Sequence, residues 1–368
     1  PGQHLGSGAI MGCANYHGWL IFDNDDRWLV RIPRDPFSDL PASLIEYLVV
    51  SEYATLKFLE GTSVPAPRVF GYGLASEERN DVGVSFLIME ALPGKPFNAH
   101  QTSLEQKERV FSGVADILIE LSKHPLPKAG SLILRADAEL EVGPTASNRF
   151  VALGLYGPFG SATEYFVSIT EQYLDLIADG QLYPSYAVES FLIYRFLEEN
   201  LHRLASGELD GQFYLKHVDD KGDHLLVDEQ GNVTGIIDWQ FARSVPACEA
   251  FGPSLFTSDL DSLYSSNSGI TQDDQRLAKM ARSRGAEMIA GFLGGNEMAR
   301  RFHLGLASGM TRAEVWEMIK GLHAAFSSSP PSSLEEWKQD AMKKCGQDPR
   351  LVNLLQQQNR IMGEGRQD

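Results

Sequence analysis

The sequence is poor in cysteine. Cys13, Cys248 and Cys345 are the only 3 among 368 residues, and no two form a Cys-x-x-Cys pair. An odd number at such wide spacing argues against a disulfide framework and a structural zinc site. It points to reducing, cytoplasmic conditions. Apolar runs long enough to span a bilayer are also missing, so no membrane partner is expected. Basic residues are in deficit, 32 against 49 acidic, for a net charge of −17. That balance does not suit a binder of nucleic-acid backbone or of anionic membrane. No internal repeat is present. There is no His-x-His, no His-Glu-x-x-His and no complete glycine-rich phosphate fingerprint. Because the chain opens on Pro1 and not on Met, a trimmed start is expected, and the lack of a leader decides nothing.

What is there is ordinary in bulk: 43% apolar and 22% charged residues, and a length suited to two lobes with real cores. The start is strand-like. Trp19–Phe22, the turn text Asp23-Asn24-Asp25-Asp26 and Trp28–Ile32 read as a hairpin, with Trp28, Val30 and Ile32 on one face and Leu29 and Arg31 on the other. Ser43–Leu59 repeats apolar residues at helical spacing and carries Glu52. Strands are expected at 68–72 and 84–89, followed by the proline- and glycine-marked hinge text Glu90-Ala91-Leu92-Pro93-Gly94. Beyond it Leu104–Lys123 and Tyr186–Ala205 read as helices, with a loop at 154–160 between them. Short β-prone runs follow at 214–218, 225–227 and 233–237, with a turn at Gln230-Gly231-Asn232. Helices resume from about Asp273 to Phe326, and the polar tail from Gln356 is expected to fray. The fold class is therefore α+β. A β-rich lobe with one helix spans 1–92, and a larger, mainly helical lobe spans 93–368.

The chemistry concentrates in His217-Val218-Asp219-Asp220-Lys221-Gly222-Asp223-His224 and in Ile236-Ile237-Asp238-Trp239. Asp219 and Asp238 each follow a β-prone run, with a hairpin between them, so one sheet mouth can hold both. Phosphoryl transfer uses such a pair: one carboxylate takes the acceptor hydroxyl's proton and the other holds magnesium against the nucleotide phosphates. Alone, His-x-Asp is a common self-capped loop and Ile-Asp-Trp is unspecific; their order and spacing together carry the signal. The rival reading, a metallohydrolase built on His217, Asp219, Asp223 and His224, lacks supporting histidines, since only His303 and His323 follow, both in helical text.

These two segments resemble the catalytic and metal-binding loops of the aminoglycoside phosphotransferase family, within the protein-kinase-like superfamily. The family writes His-Gly-Asp, four residues, Asn, and then Ile-Asp-Trp. The resemblance implies a two-lobed, protein-kinase-like fold and an ATP- and Mg2+-dependent transfer to a small-molecule hydroxyl. It implies Asp219 as catalytic base, His217 as brace of the loop, Lys221 as phosphate contact and Asp238 as metal ligand. Val218 stands where the family has glycine. His224 stands where it has the metal-binding asparagine. A neutral imidazole can bind a metal, whereas magnesium prefers oxygen, which Asp220 or Asp223 could supply. The resemblance further implies Arg31 and Glu52 as the cation–acid pair of the nucleotide site, supported by Ser51–Leu56 and by Pro65-Ala66-Pro67-Arg68-Val69. It puts the adenine near Met89, Glu90 and Leu92. Taken singly, Arg31 reads as a surface strand residue and Glu52 as a solvated helix face. The phosphate-covering loop is either Gly12-Cys13-Ala14-Asn15 or Gly6-Ser7-Gly8.

The expected protein is thus a cytoplasmic small-molecule kinase. His224 motivates an alternative: a kinase-like protein that binds nucleotide or another small ligand without ordinary phosphoryl transfer. A protein kinase is disfavoured, because the second loop reads Asp238-Trp239-Gln240 and no Ala-Pro-Glu text closes an activation segment. Acceptor and oligomeric state have no signal in the sequence.

Overall fold

The computed structural model describes residues 10–11, 15–23, 27–34, 41–99, 101–135, 137, 139–148, 152–206, 211–267, 269–306, 310–327 and 333–364. The chain divides into two compact units. One collects residues 1–159, 212–245 and 283–286; the other collects 160–211, 246–282 and 287–368.

The first unit is built on a five-stranded antiparallel sheet. Its strands are β1 (Ile10–Met11), β2 (Asn15–Ile21), β3 (Arg27–Pro33), β4 (Val69–Gly73) and β5 (Phe86–Glu90), in the order β1-β2-β3-β5-β4. The β2–β3 hairpin pairs Leu20 with Trp28 and His17 with Arg31. Trp28 stacks on Phe70 at a centroid distance of 3.9 Å. The opposite face of β3 turns inward: Leu29 packs against the core, and Arg31 is 6% exposed. The face holding the charged residue is thus the buried one, contrary to what Arg31 suggests when taken singly. Helix α1 (Ala42–Leu59) contributes Ala54, Leu56 and Leu59 to the core. Val69, Leu87 and Met89 of the sheet, Leu215, Trp239 and Ala242 belong to the same core.

After β5 come β6 (Lys95–Pro96) and helix α2 (Leu104–Ser122). Ser103 starts α2 with a reciprocal capping box to Gln106, which the Ser-x-x-Gln text encodes. Strands β7 (Ser131–Leu134) and β8 (Leu140–Gly143) form a hairpin. So do β9 (Thr145–Asn148) and β10 (Ala152–Tyr156). The loop expected at 154–160 therefore begins as a strand, because β9 supplies it with a partner. Four more strands complete the unit: β11 (Tyr214–Lys216), β12 (Leu225–Val227), β13 (Val233–Ile236) and β14 (Arg243–Val245).

The second unit is helical: α3 (Ala162–Ala178), α4 (Ala187–Glu199), α5 (Leu201–Leu204), α6 (Ala247–Phe251), α7 (Leu260–Leu263), α8 (Gln272–Ser283), α9 (Glu287–Gly295), α10 (Met298–Leu304), α11 (Arg312–Phe326), α12 (Leu334–Cys345) and α13 (Pro349–Glu364). The single helix expected over 186–205 is broken at Asn200, the C-cap of α4. The tail expected to fray is helical as far as Glu364. A buried ion network organises the centre. Arg300 Nη1 donates to both oxygens of Asp274 at 3.0 Å. Glu297 accepts from Arg300 and Arg301 and from the Gly269 amide. Among the described residues no helix is long and apolar enough to cross a membrane. Cys248 and Cys345 are free thiols, and Cys13 lies outside the described residues.

Candidate active site

Two nested antiparallel pairings build the site inside the first unit. The outer pair joins β11 to β14, matching Tyr214 with Val245 and Lys216 with Arg243. The inner pair joins β12 to β13, matching Leu225 with Ile236. Residues 217–224 and 237–242 are therefore the two segments spanning from the outer pair to the inner one, and they must face each other. The inner hairpin closes on Asp228, whose Oδ1 accepts from the Gln230 and Asn232 amides at 2.9 and 2.8 Å. Gly231 takes the left-handed backbone this turn requires, at φ +85°.

His217 and Trp239 hold the two segments together. His217 Nε2 donates to the Ile237 carbonyl at 2.9 Å, and its ring meets Trp239 edge-on at 4.9 Å. Burial pushes the His217 imidazole below its ordinary value, so it stays neutral, as a single donor to a carbonyl should. Trp239 is buried in the core and donates Nε1 to the Ile236 carbonyl at 2.9 Å. Among the described non-glycine residues only Tyr183 and Asp238 have positive φ. Val218, standing where the resembled family has glycine, is therefore unstrained, and its side chain is buried. Asp238 at φ +66° holds a conformation uncommon for a residue with a Cβ.

His224 sits between the two acids. Its Nε2 donates to Asp219 Oδ2 at 2.9 Å and lies 3.8 Å from both Asp238 Oδ2 and Asp223 Oδ1. Burial opposes its protonation. The hydrogen bond to Asp219 and the charges of Asp238, Asp223 and Asp219 outweigh that and raise it above the ordinary histidine value. Asp219 is held down to about 2, chiefly by the His224 hydrogen bond and, against burial, by Lys221. Lys221 Nζ lies 3.2 Å from Asp219 and 3.3 Å from Asp223, and half of its side chain is exposed. Asp220 pairs with Lys216 at 2.9 Å. Of the two acids that could supply an extra oxygen, it is Asp223 that faces His224.

The third component is Arg31. Its Nη1 donates to Glu52 and its Nη2 to Asp238. Burial pushes the Glu52 carboxyl up; Arg31 opposes this and Asp238 adds to it. Asp238 stays below the usual carboxylate range because Arg31 and His224 outweigh its burial. Two amides complete the guanidinium's surroundings. Gln240 Oε1 accepts from Nη2 at 2.9 Å. Asn15 lies 3.0 Å from that oxygen, and with its own carboxamide oxygen turned to Arg31 it accepts from Nε at 3.0 Å, the two hydrogens of Nη2 being spent on Asp238 and Gln240. Neither Asn15 nor Gln240 was expected as a partner of Arg31. They are 225 residues apart, and no local pattern couples them.

The residues expected beside the adenine lie elsewhere in the unit. Met89 is a core residue opposite Leu29 and Val69. The Glu90 amide donates to the Arg68 carbonyl at 2.8 Å and its carboxylate accepts from the Arg68 amide. Leu92 packs over Gly235, where a Cβ would collide with it. Of the candidate phosphate-covering loop, only Asn15 is described; Gly12–Ala14 and Gly6–Gly8 lie outside the described residues.

One ligand atom each from Asp219, Asp223 and His224 comes within 4.8 Å of the others, a grouping that could hold a metal ion. Asp238 keeps Oδ2 turned toward it, with Oδ1 on Arg31. Three carboxylates fit a hard cation; the imidazole is the one nitrogen donor.

The sequence profile of the phosphotransferase enzyme family, abbreviated APH, matches residues 12–278. The chain belongs to the phosphotransferase enzyme family. The match takes in strands β2–β5 of the sheet, α1 and both acidic segments. Clavilactone A biosynthesis cluster protein Y of Ampulloclitocybe clavipes is 26% identical over 212 residues, 55% of this chain and 51% of that protein. The matched segment thus spans about half the length of that relative. Among solved structures, the GDP complex of wild-type aminoglycoside 2'-phosphotransferase-IIIa is 15% identical with a TM-score of 0.45, covering 95% of this chain and 91% of that chain. A Plasmodium vivax ethanolamine kinase is 10% identical with a TM-score of 0.45, covering 94% and 83%.

Proposed function

We propose that the protein transfers the γ-phosphoryl group of ATP, with Mg2+, to a hydroxyl of a small molecule. The observation that supports this most is the convergence of Asp219, His224 and Asp238 beside the Arg31–Glu52 pair. Asp219 receives the acceptor's proton. Its low pKa keeps it ionised at neutral pH, and its bonds to His224 and Lys221 fix the plane of the carboxylate. Lys221, half exposed, offers its ammonium to the transferred phosphate. Asp238 Oδ2 and Asp223 are the residues that would hold the cation, with His224 kept on Asp219 through its Nε2 hydrogen. Magnesium, when bound, neutralises charge on the phosphate oxygens. Arg31, aimed by Glu52, serves the nucleotide phosphates. With the Glu90 amide committed to Arg68, the adenine takes its hydrogen bonds from the backbone at Ala91 and Leu92, beside Met89. The lobe boundary then falls after Leu92.

Incubation with magnesium and ATP against a panel of amino alcohols and sugars tests the reading. ADP release well above that of Asp219→Asn supports it; release no greater than that variant's with every acceptor sinks it. A second reading draws on His224, whose bond to Asp219 and raised proton affinity work against cation binding. On that reading the protein binds nucleotide or a small ligand without turnover, and His224→Asn gains ATP turnover.

A further inference from the structure

Gln240 and Asn15 are 8% and 3% exposed, and both amides are devoted to one guanidinium. Burying a carboxamide is costly unless it is hydrogen-bonded, so this pair is a built feature and not a surface accident. The acceptors around Arg31 differ in how readily they can leave. Glu52 is 3% exposed and fixed on α1. Gln240 is tied to the core through the adjoining Trp239. Asp238 has a side chain 39% exposed, sits on a left-handed backbone and has a second attraction in His224. Asp238 is therefore the partner that gives way when a phosphate oxygen competes for Nη2. A guanidinium gripped only at Nη1 by Glu52 would be free to turn as Asp238 leaves. Gln240, bonded to Nη2, prevents that turn.

We propose that Gln240, backed by Asn15, is a positioning residue that keeps the Arg31 fork oriented while Nη2 passes from Asp238 to a nucleotide phosphate. This rests on the nucleotide-site reading above and deepens it. Gln240 touches no reacting atom; it acts through Arg31.

The test is a double-mutant cycle read by calorimetric ATP binding on the full chain. Gln240→Met keeps the volume and removes the acceptor. It should weaken ATP binding about tenfold, the size of one charge-assisted hydrogen bond. Arg31→Lys, which lacks the fork, should weaken it as well. The double variant should bind no more weakly than Arg31→Lys alone, because the amide has lost what it orients. Asn15→Ala run through the same cycle should also be non-additive, and it decides the matter if Gln240→Met does not fold. ATP affinity in Gln240→Met within about twofold of the parent, or effects of Gln240→Met and Arg31→Lys that add, would overturn the proposal. A parent protein that binds no ATP overturns the nucleotide-site reading itself, and the proposal with it.

Discussion

Arg31 and Asp238, 207 residues apart, are joined directly through Nη2 and Oδ1. The same guanidinium holds Glu52 through Nη1, so one strand residue links α1 to the end of the β12–β13 hairpin. Glu52 and Asp238 are organised around this cation, and Asp219 and Asp223 around His224.

Arg31→Met should be strongly destabilising. It leaves the Glu52 carboxyl buried without its counter-charge, a loss of about 3–5 kcal/mol. Urea unfolding of the purified variant measures this. A loss under about 1 kcal/mol would mean the pair contributes as little as a surface ion pair.

Asp219→Asn should abolish most of the transfer while leaving the fold intact. Removing a positioned proton acceptor typically lowers kcat by about 10²–10⁴. The check is kcat beside a thermal melt. A melting point unchanged with kcat within a few-fold of the parent would dismiss Asp219 as the base.

His224 should titrate above 6.5 in NMR, and Asp219→Asn should bring it down, since the Asp219 bond is the leading cause that raises it. The linkage sign follows. A histidine raised in the folded state adds stability that is complete below its unfolded value of about 6.5 and is lost as pH rises through the folded value. His224→Asn should therefore flatten the fall in stability on the alkaline side of 6.5. His217, lowered by burial, acts in the opposite sense: stability rises with pH across the window from its lowered value up to 6.5. An unshifted His224 resonance would contradict the Asp219 bond.

In the helical unit, Asp274→Ala should cost about 3–5 kcal/mol, because it takes both carboxylate oxygens from buried Arg300 Nη1 and leaves Glu297 on Nη2 alone. Thr257 and Thr271 also lose their bonds to Asp274. Chemical denaturation gives the number; a cost near zero would show that the network has rearranged around Arg300.

Much of the first unit was legible in its local text. The 2-residue alternation of Trp28–Ile32 marked β3, the helical spacing of Ser43–Leu59 marked α1, and the Gln230-Gly231-Asn232 turn marked the hairpin. The two acids at its mouth could be named for the same reason: each ends a β-prone run, and nesting the runs leaves the acids facing each other. What was not legible were choices that need a partner. The strand Ala152–Tyr156 exists because β9 lies beside it. The helix over 186–205 breaks at Asn200, and α13 continues through polar text to Glu364.

The sequence by itself determined which residues could do chemistry and the order in which strands, turn and acids follow one another, because those depend on neighbours a few positions away. Tertiary structure alone decided which face of β3 is buried, that Arg31 meets Asp238 as well as Glu52, that His224 stands between the acids, and that Asn15 and Gln240 enclose the guanidinium. Those contacts join residues up to 209 positions apart. Only the closing of a core around Leu87, Met89 and Trp239 brings such residues within hydrogen-bonding reach.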